Sequence, residues 1–328
     1  ATSKTFLDGE NPVAYNREVN GRGNVLIAYP YMTSGRGPVL ETSMPFTGST
    51  EKINLAEIEN KQVEAKLEKY QIFPAVYKEK SGNTTIYTNG QTGTDRREYT
   101  TSEITAFRNQ IKDHIRTYGA VTAQVNFTNT EYYNNPQAFI QSTAYYCDNP
   151  SVVADHQVSI IGWDDTYAVT NFNEEHRPSK PGAYIAQSSY GTEIKLPDGS
   201  TVEVFDEGVI YISYEDVLVE NCMTGIIQMS EVDYDTIYQY DELGMNNTII
   251  TNAEKLVGAN VFQKDSNNLE WLNEISFYPI EGCTYKVYVN AQDGELNKQK
   301  LVEVAEIGEI TGQYYTTVTL EEPILLTG

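Results

Sequence analysis

The sequence predicts an α+β protein, with one strong amphipathic helix in the first half and β-structure dominating from residue 157 to the end. Ile104, Phe107, Ile111 and Ile115 fall at helical spacing. From Gln157 onward, apolar and polar residues alternate in short runs bounded by Gly, Pro, Asn and Asp. The length, 328 residues, allows two domains with real cores. Asp233-Tyr234-Asp235 reads as the seam, which divides the chain into a first domain over 1–235 and an antiparallel β-sandwich over 236–328.

The elements follow in order. Ala1 to Thr50 is rich in Gly, Pro and Tyr without either period, and reads as ordered loops. Lys52 to Tyr70 is charged, with Leu55, Ile58 and Leu67 toward one side, so a helix is expected there. Lys78 to Arg97 holds short Thr/Tyr/Ile strands around turns at Ser81-Gly82-Asn83 and Asn89-Gly90. The helix over 102–117 has a capping box in Thr100 and Glu103 and a stop at Gly119. Ala120 to Phe127 alternates as a strand. Further strands are expected at Gln157–Trp163, Tyr167–Phe172, Ala183–Gln187 and Gly208–Tyr214, with a hairpin over Glu193–Val204 folding on Pro197-Asp198-Gly199. In the tail, Ile275–Tyr278, Tyr285–Val289 and Tyr314–Leu320 alternate.

Composition excludes several functions. The formal net charge of −23 repels phosphate backbones, so nucleic acid is not a partner. No apolar run is long enough for a membrane span. The first residue is Ala1 and no signal peptide is visible, as expected of a processed or excised chain. Residues 231–328 carry 17 acidic and 5 basic residues, the composition of an exposed module. Acidic loops such as Asp241-Glu242 and Asp265-Ser266-Asn267-Asn268 lack EF-hand spacing and read as solvated charge, so neither metal nor cofactor is expected. Cys147, Cys222 and Cys283 have no paired metal-ligand spacing; one disulfide with one free thiol, or three buried thiols, are both open.

The most informative stretch is Asp155-His156-Gln157-Val158-Ser159-Ile160-Ile161-Gly162-Trp163-Asp164-Asp165. A histidine just before an apolar strand is held at a sheet edge, where it can accept a proton and be steered by a third group. This stretch resembles the histidine strand of papain-like cysteine peptidases, in particular bacterial members with a lectin-like domain. Other segments resemble that family in the same order: Asn20-Gly21-Arg22-Gly23-Asn24 its glycine wall, Gly37-Pro38-Val39-Leu40-Glu41 and Met44-Pro45-Phe46 a Gly-Pro-Val-x-Glu segment, and Tyr118-Gly119-Ala120-Val121 the Gly-Pro-Val after its second helix. Gly182-Ala183-Tyr184-Ile185 resembles the strand leading into Asn-Ser-Trp-Gly, Gly208 to Tyr214 the closing strand, and Ile237 to Gly244 the entry to the lectin-like domain.

The resemblance implies a two-lobed papain-like domain, incomplete at its N-terminus, followed by a lectin-like sandwich. It implies that His156 is the base position and that Ser188 occupies the place of the orienting asparagine, since Ser188-Ser189-Tyr190-Gly191 aligns with Asn-Ser-Trp-Gly. Gly21, Gly23 and Asp155 fall at substrate-binding positions, with Arg22 interrupting the glycine pair. The family's nucleophile motif, Gln-x-x-x-Cys-Gly-Ser-Cys-Trp, is missing, and the chain is expected to start after the helix that carries it. Three functions follow as expectations: a pseudopeptidase that binds or assembles at the cell surface or in secreted form; an active thiol peptidase whose cysteine lies on another piece of the precursor; and a glycan-binding protein acting through its tail. The partners expected are a peptide or protein in the interlobe groove, another chain or copy over the surface left by the missing helix, and a glycan. Trp271, between Leu269 and Leu272, reads as core; His114 and His176 read as solvent-facing bystanders.

Overall fold

A computed structural model describes residues 25–35, 37–45, 62–82, 84–189, 191–195, 198–240, 244–245, 254–264, 268–290 and 301–326. Its elements, in chain order, are helix α1 (Val25–Thr33), strands β1 (Lys66–Ile72), β2 (Tyr77–Ser81) and β3 (Thr84–Thr88), helix α2 (Thr101–Tyr118), and strands β4 (Val121–Val125), β5 (Ala144–Tyr145), β6 (His156–Asp164) and β7 (Ala183–Gln187). Then come β8 (Glu193–Lys195), β9 (Thr201–Glu203), β10 (Val209–Ser213), β11 (Thr224–Ser230), β12 (Glu270–Phe277), β13 (Tyr285–Val289), β14 (Val302–Ile307) and β15 (Gln313–Leu326). The chain folds into two compact units, one of residues 71–226 and the other of residues 1–70 with 227–328.

In the unit of residues 71–226, a sheet of order β11-β4-β6-β7-β10-β5 carries helix α2. The pairs β4–β6, β6–β7 and β7–β10 are antiparallel, and β5 joins β10 in parallel. Inward residues alternate along the strands: Val121, Ala123 and Val125 of β4 are buried, as are Val158 and Ile160 of β6. They meet Ile104, Phe107 and Ile111 of α2 in one core. Helix α2 begins where its capping box predicts: the Thr100 hydroxyl accepts from the Glu103 amide, and the Glu103 carboxylate accepts from the Thr100 amide. Gly119 ends it.

The core also holds buried charge. Glu220 is fully buried between Lys78 Nζ at 3.0 Å and Arg108 Nε at 2.8 Å, and accepts from the Tyr184 hydroxyl at 2.9 Å. Asp216, equally enclosed, accepts the amides of Cys147, Leu218 and Val219.

The other unit is mostly antiparallel sheet, with β12 on β15 and β13 on β14. Its core is built on tyrosine: Tyr70 lies 4.6 Å from Tyr29 of α1 and 5.7 Å from Tyr315 of β15, ring centre to ring centre, and its hydroxyl meets that of Tyr278. Lys66 is buried against Glu68 and Glu274.

Several expectations are corrected. The helix expected over Lys52–Tyr70 is a strand from Lys66 onward. Lys66, Leu67 and Glu68 are buried in succession because that ion cluster fills the face a surface helix would leave in water. Its earlier part, 51–61, lies outside the described residues, as do Asp241-Glu242 and Asp265–Asn267. Val25–Thr33 is a helix where loops were expected, despite Pro30. Tyr167–Phe172 is not a strand but a bend closing in a 3₁₀ turn over Val169–Asn171. Stacking of Tyr167 on Tyr211 at 4.2 Å and an edge-on contact of Tyr167 with Phe172 account for its aromatic spacing. Trp271 is 56 % exposed on β12, not core. The three cysteines are free, with Cys147 buried, Cys222 half-buried and Cys283 exposed.

Candidate active site

His156 opens β6, and Ser188 follows the last residue of β7. Since β6 and β7 run antiparallel with Ser159 opposite Gln187, the start of one strand lies beside the end of the other. The two side chains meet there, His156 Nε2 standing 3.4 Å from Ser188 Oγ, a long hydrogen bond. On its other side β6 pairs with β4, His156 opposite Val125.

The backbone fixes Ser188 in place. Its amide donates to the Gly208 carbonyl at 3.2 Å, which also accepts from the Gln187 side chain. Gly208 has φ +79°, and a Cβ there would fall 2.7 Å from Gln187 Nε2 and 2.9 Å from the Gly191 carbonyl, so a larger residue would displace this turn.

Asp155, the residue before the histidine, does not point at an open groove. Its carboxylate accepts the amides of Phe127, at 2.9 Å, and Thr128, and the Thr128 hydroxyl. That ties the end of β4 in position, with the Phe127 ring 5.5 Å from the imidazole of His156. Phe127 in turn packs on Phe205 and Tyr145. Neither Phe127 nor Phe205 was singled out from the sequence. Phe127 was visible only as the end of an alternating strand, and Phe205 carried no local signal. Gly21 and Gly23 lie outside the described residues.

Burial holds the His156 imidazole below the ordinary histidine range, against the opposing pull of the Asp155 carboxylate. At neutral pH the ring is therefore uncharged. With its proton on Nε2 it donates to Ser188, and Nδ1 keeps a lone pair able to take a proton. The chemistry on offer is that of a positioned base. Cys147 does not complete it. Its thiol is buried and pushed up to about 12 by burial, with Asp216 adding to the rise, so it is not a thiolate at neutral pH. In the sheet, β7 and β10 separate β5, which leads into Cys147, from β6.

The other two histidines are not solvated bystanders. His114 is buried, with Nε2 3.2 Å from the Ile226 carbonyl and Nδ1 3.3 Å from Gln71 Oε1. His176 is half-buried, with Nδ1 3.0 Å from Asp148 and its ring edge-on to Tyr132. Among the described residues, no group of three or more His, Cys, Asp or Glu side chains is placed to hold a metal ion. Nor is any helix among them long and apolar enough to cross a membrane.

Residues 237–328 match the family model of the lectin-like domain. No curated protein matches the chain. Among solved structures, the clostridial cysteine protease Cwp84, as a cysteine-to-alanine variant after propeptide cleavage, is similar with a TM-score of 0.64 and 21 % identity over 92 % of this chain. The cysteine protease and lectin-like domains of Cwp84, a surface layer associated protein of Clostridium difficile, are similar with a TM-score of 0.61 and 20 % identity over 90 % of this chain. The chain spans 63 % and 55 % of those two chains. Its fold is therefore that of a papain-like cysteine peptidase domain with a lectin-like domain at the C-terminal end.

Proposed function

We propose that this papain-like peptidase homologue does not hydrolyse peptide bonds by itself and serves binding or assembly, secreted or at the cell surface. The observation that carries the proposal is the His156–Ser188 pair. Covalent catalysis needs a thiolate within hydrogen-bond reach of the base and a donor for the developing oxyanion. Here the base position is kept, but its partner is a serine, two heavy atoms shorter than asparagine, which reaches Nε2 only at 3.4 Å. No cysteine of this sequence lies in a Cys-Gly-Ser-Cys-Trp motif. The partner is a peptide or protein in the interlobe groove, with another chain or copy covering the surface that the nucleophile helix fills in the family. The surface-layer association of the similar clostridial protein supports the location. Residues 1–235 are the peptidase-like part of this assignment and 236–328 the lectin-like part.

A second function is favoured by the preserved geometry itself. A neutral imidazole packed by Phe127 and bonded to Ser188 remains a competent base for a cysteine supplied by another segment. Glycan binding is favoured by the exposure of Trp271, since aromatic faces stack on sugars.

The test is incubation of the purified chain with unstructured casein, with and without an irreversible thiol-directed peptidase inhibitor. No cleavage is expected. Cleavage abolished by the inhibitor, with labelling of Cys147, Cys222 or Cys283, would overturn the proposal. Cleavage restored by a cysteine-bearing segment added in trans would establish the second function, with Ser188 filling the asparagine's place.

A further inference from the structure

His114 occupies a position that the proposed function does not use. It lies on α2, seven residues after Phe107 and three after Ile111, and is 3 % exposed. Its two nitrogens face residues 71 and 226, the first and last residues of the 71–226 unit. The ring is closely enclosed: a Cβ at Gly225 would fall 2.2 Å from Nε2, so only glycine leaves room for it. Phe73 meets the ring edge-on at 5.5 Å and Tyr118 packs on it at 5.0 Å.

The bonding defines the protonation state. The Ile226 carbonyl can only accept, so Nε2 carries a hydrogen and donates to it. In the neutral ring Nδ1 is then an acceptor, and the Gln71 side chain must turn its NH₂ group to meet it. A second proton on Nδ1 would reverse that and draw the Gln71 oxygen. It would also place a full charge in an enclosed site. The groups packed on the ring are Gln71, Phe73, Gly225 and Ile226, with Tyr118 from its own helix. Tyr118 alone among these is titratable, and none of them is a carboxylate that could offset the charge. Burial accordingly lowers the proton affinity of His114, with only the Ile226 carbonyl opposing it.

Within the unit, β11 is joined to β4 by the register pairs Thr224–Thr122 and Gly225–Val121 and by the contact between the Thr122 and Thr224 hydroxyls.

We propose that His114 is an acid-sensitive fastening for the two points where the chain enters and leaves this unit. Neutral, the ring stays enclosed and binds Ile226. Protonated, it moves toward water and releases Gln71 and the Ile226 carbonyl of β11. As pH falls through the ordinary histidine range near 6.5, the opened form takes up a proton first, so opening becomes more favourable.

The test is peptide-resolved hydrogen–deuterium exchange on the full chain at pH 7.5 and 5.5, corrected for intrinsic exchange. In the wild type, a severalfold loss of protection is expected on acidification in peptides covering 71–76 and 223–228, and not in α2 over 104–111. His114→Gln, neutral at both values, is expected to lose none. Equal loss in both proteins, or none in the wild type, overturns the proposal. If His114→Gln does not fold, the wild type decides by NMR titration of its three histidines, the other two identified with His156→Gln and His176→Gln. A His114 midpoint below 6.5 accompanied by the exchange change supports the fastening; a midpoint at or above 6.5 overturns it.

Discussion

Replacing Glu220 by Gln keeps the volume of a fully buried side chain and removes its charge, leaving Lys78 and Arg108 enclosed without the carboxylate that pairs with both. Breaking a buried pair in this way costs about 3–5 kcal/mol, since an unpaired charge remains in the interior. The acid–base equilibrium gives a similar figure. Burial raises the Glu220 carboxyl, but the Arg108 and Lys78 cations outweigh it and hold the group down at about 2, against an ordinary value of 4.5. At about 1.4 kcal/mol per unit, the ionised form stabilises the fold by about 3 kcal/mol.

The sign follows from the same values. A carboxyl depressed in the folded state contributes fully above its unfolded value near 4.5, and loses that contribution as pH falls through about 2. Glu220→Gln is therefore expected to be weaker than wild type by about 3 kcal/mol at pH 7, with the gap narrowing between pH 4 and pH 2. Lys78→Met should cost less. Desolvation of its ammonium outweighs the attraction of Glu220 and lowers its pKa, and the Arg108–Glu220 pair survives its removal. Urea denaturation followed by Trp163 fluorescence in a Trp271→Phe background confines the signal to the 71–226 unit, because Trp163 packs against Arg116 and Lys112 there. A loss under about 1 kcal/mol, or a gap unchanged at low pH, would show that the three charges are already neutralised or hydrated.

Other consequences can be checked with the same protein. Thr100→Ala removes the hydroxyl that accepts from the Glu103 amide in the α2 capping box, leaving the bond from its own amide to the Glu103 carboxylate, and is expected to cost about 1 kcal/mol, read from the urea midpoint. Phe127→Ala opens water access to His156, so its titration midpoint by NMR should rise toward the ordinary histidine value; an unchanged midpoint would mean that Phe127 does not shield the ring. Maleimide labelling of the native chain should modify exposed Cys283 first and spare Cys147, whose burial holds its thiol at about 12, until urea unfolds the protein.

What could be seen in the sequence was set by local causes. Helix α2 declares itself through four apolar residues on one stripe and a capping box that spans four positions, and neither depends on the rest of the fold. That His156 and Ser188 face one another was legible by resemblance, and their meeting follows from a register that joins consecutive strands. The errors have distant causes. His114 stands seven residues after Phe107, on the buried side of its helix, but the groups that bond it, Gln71 and Ile226, lie 43 and 112 positions away. Lys66 and Glu68 belong to the charged stretch that suggested a helix; Glu274, which pairs with Lys66 beside Glu68, comes 208 residues after Lys66. Trp271 is the converse: its apolar neighbours Leu269 and Leu272 suggest a core, but alternation on β12 turns 271 to the exposed side. In each case the side chain's chemistry was readable and its partner was not. The surroundings of a charged or aromatic residue are therefore legible from sequence only where, as at His156, a motif also specifies what stands opposite it.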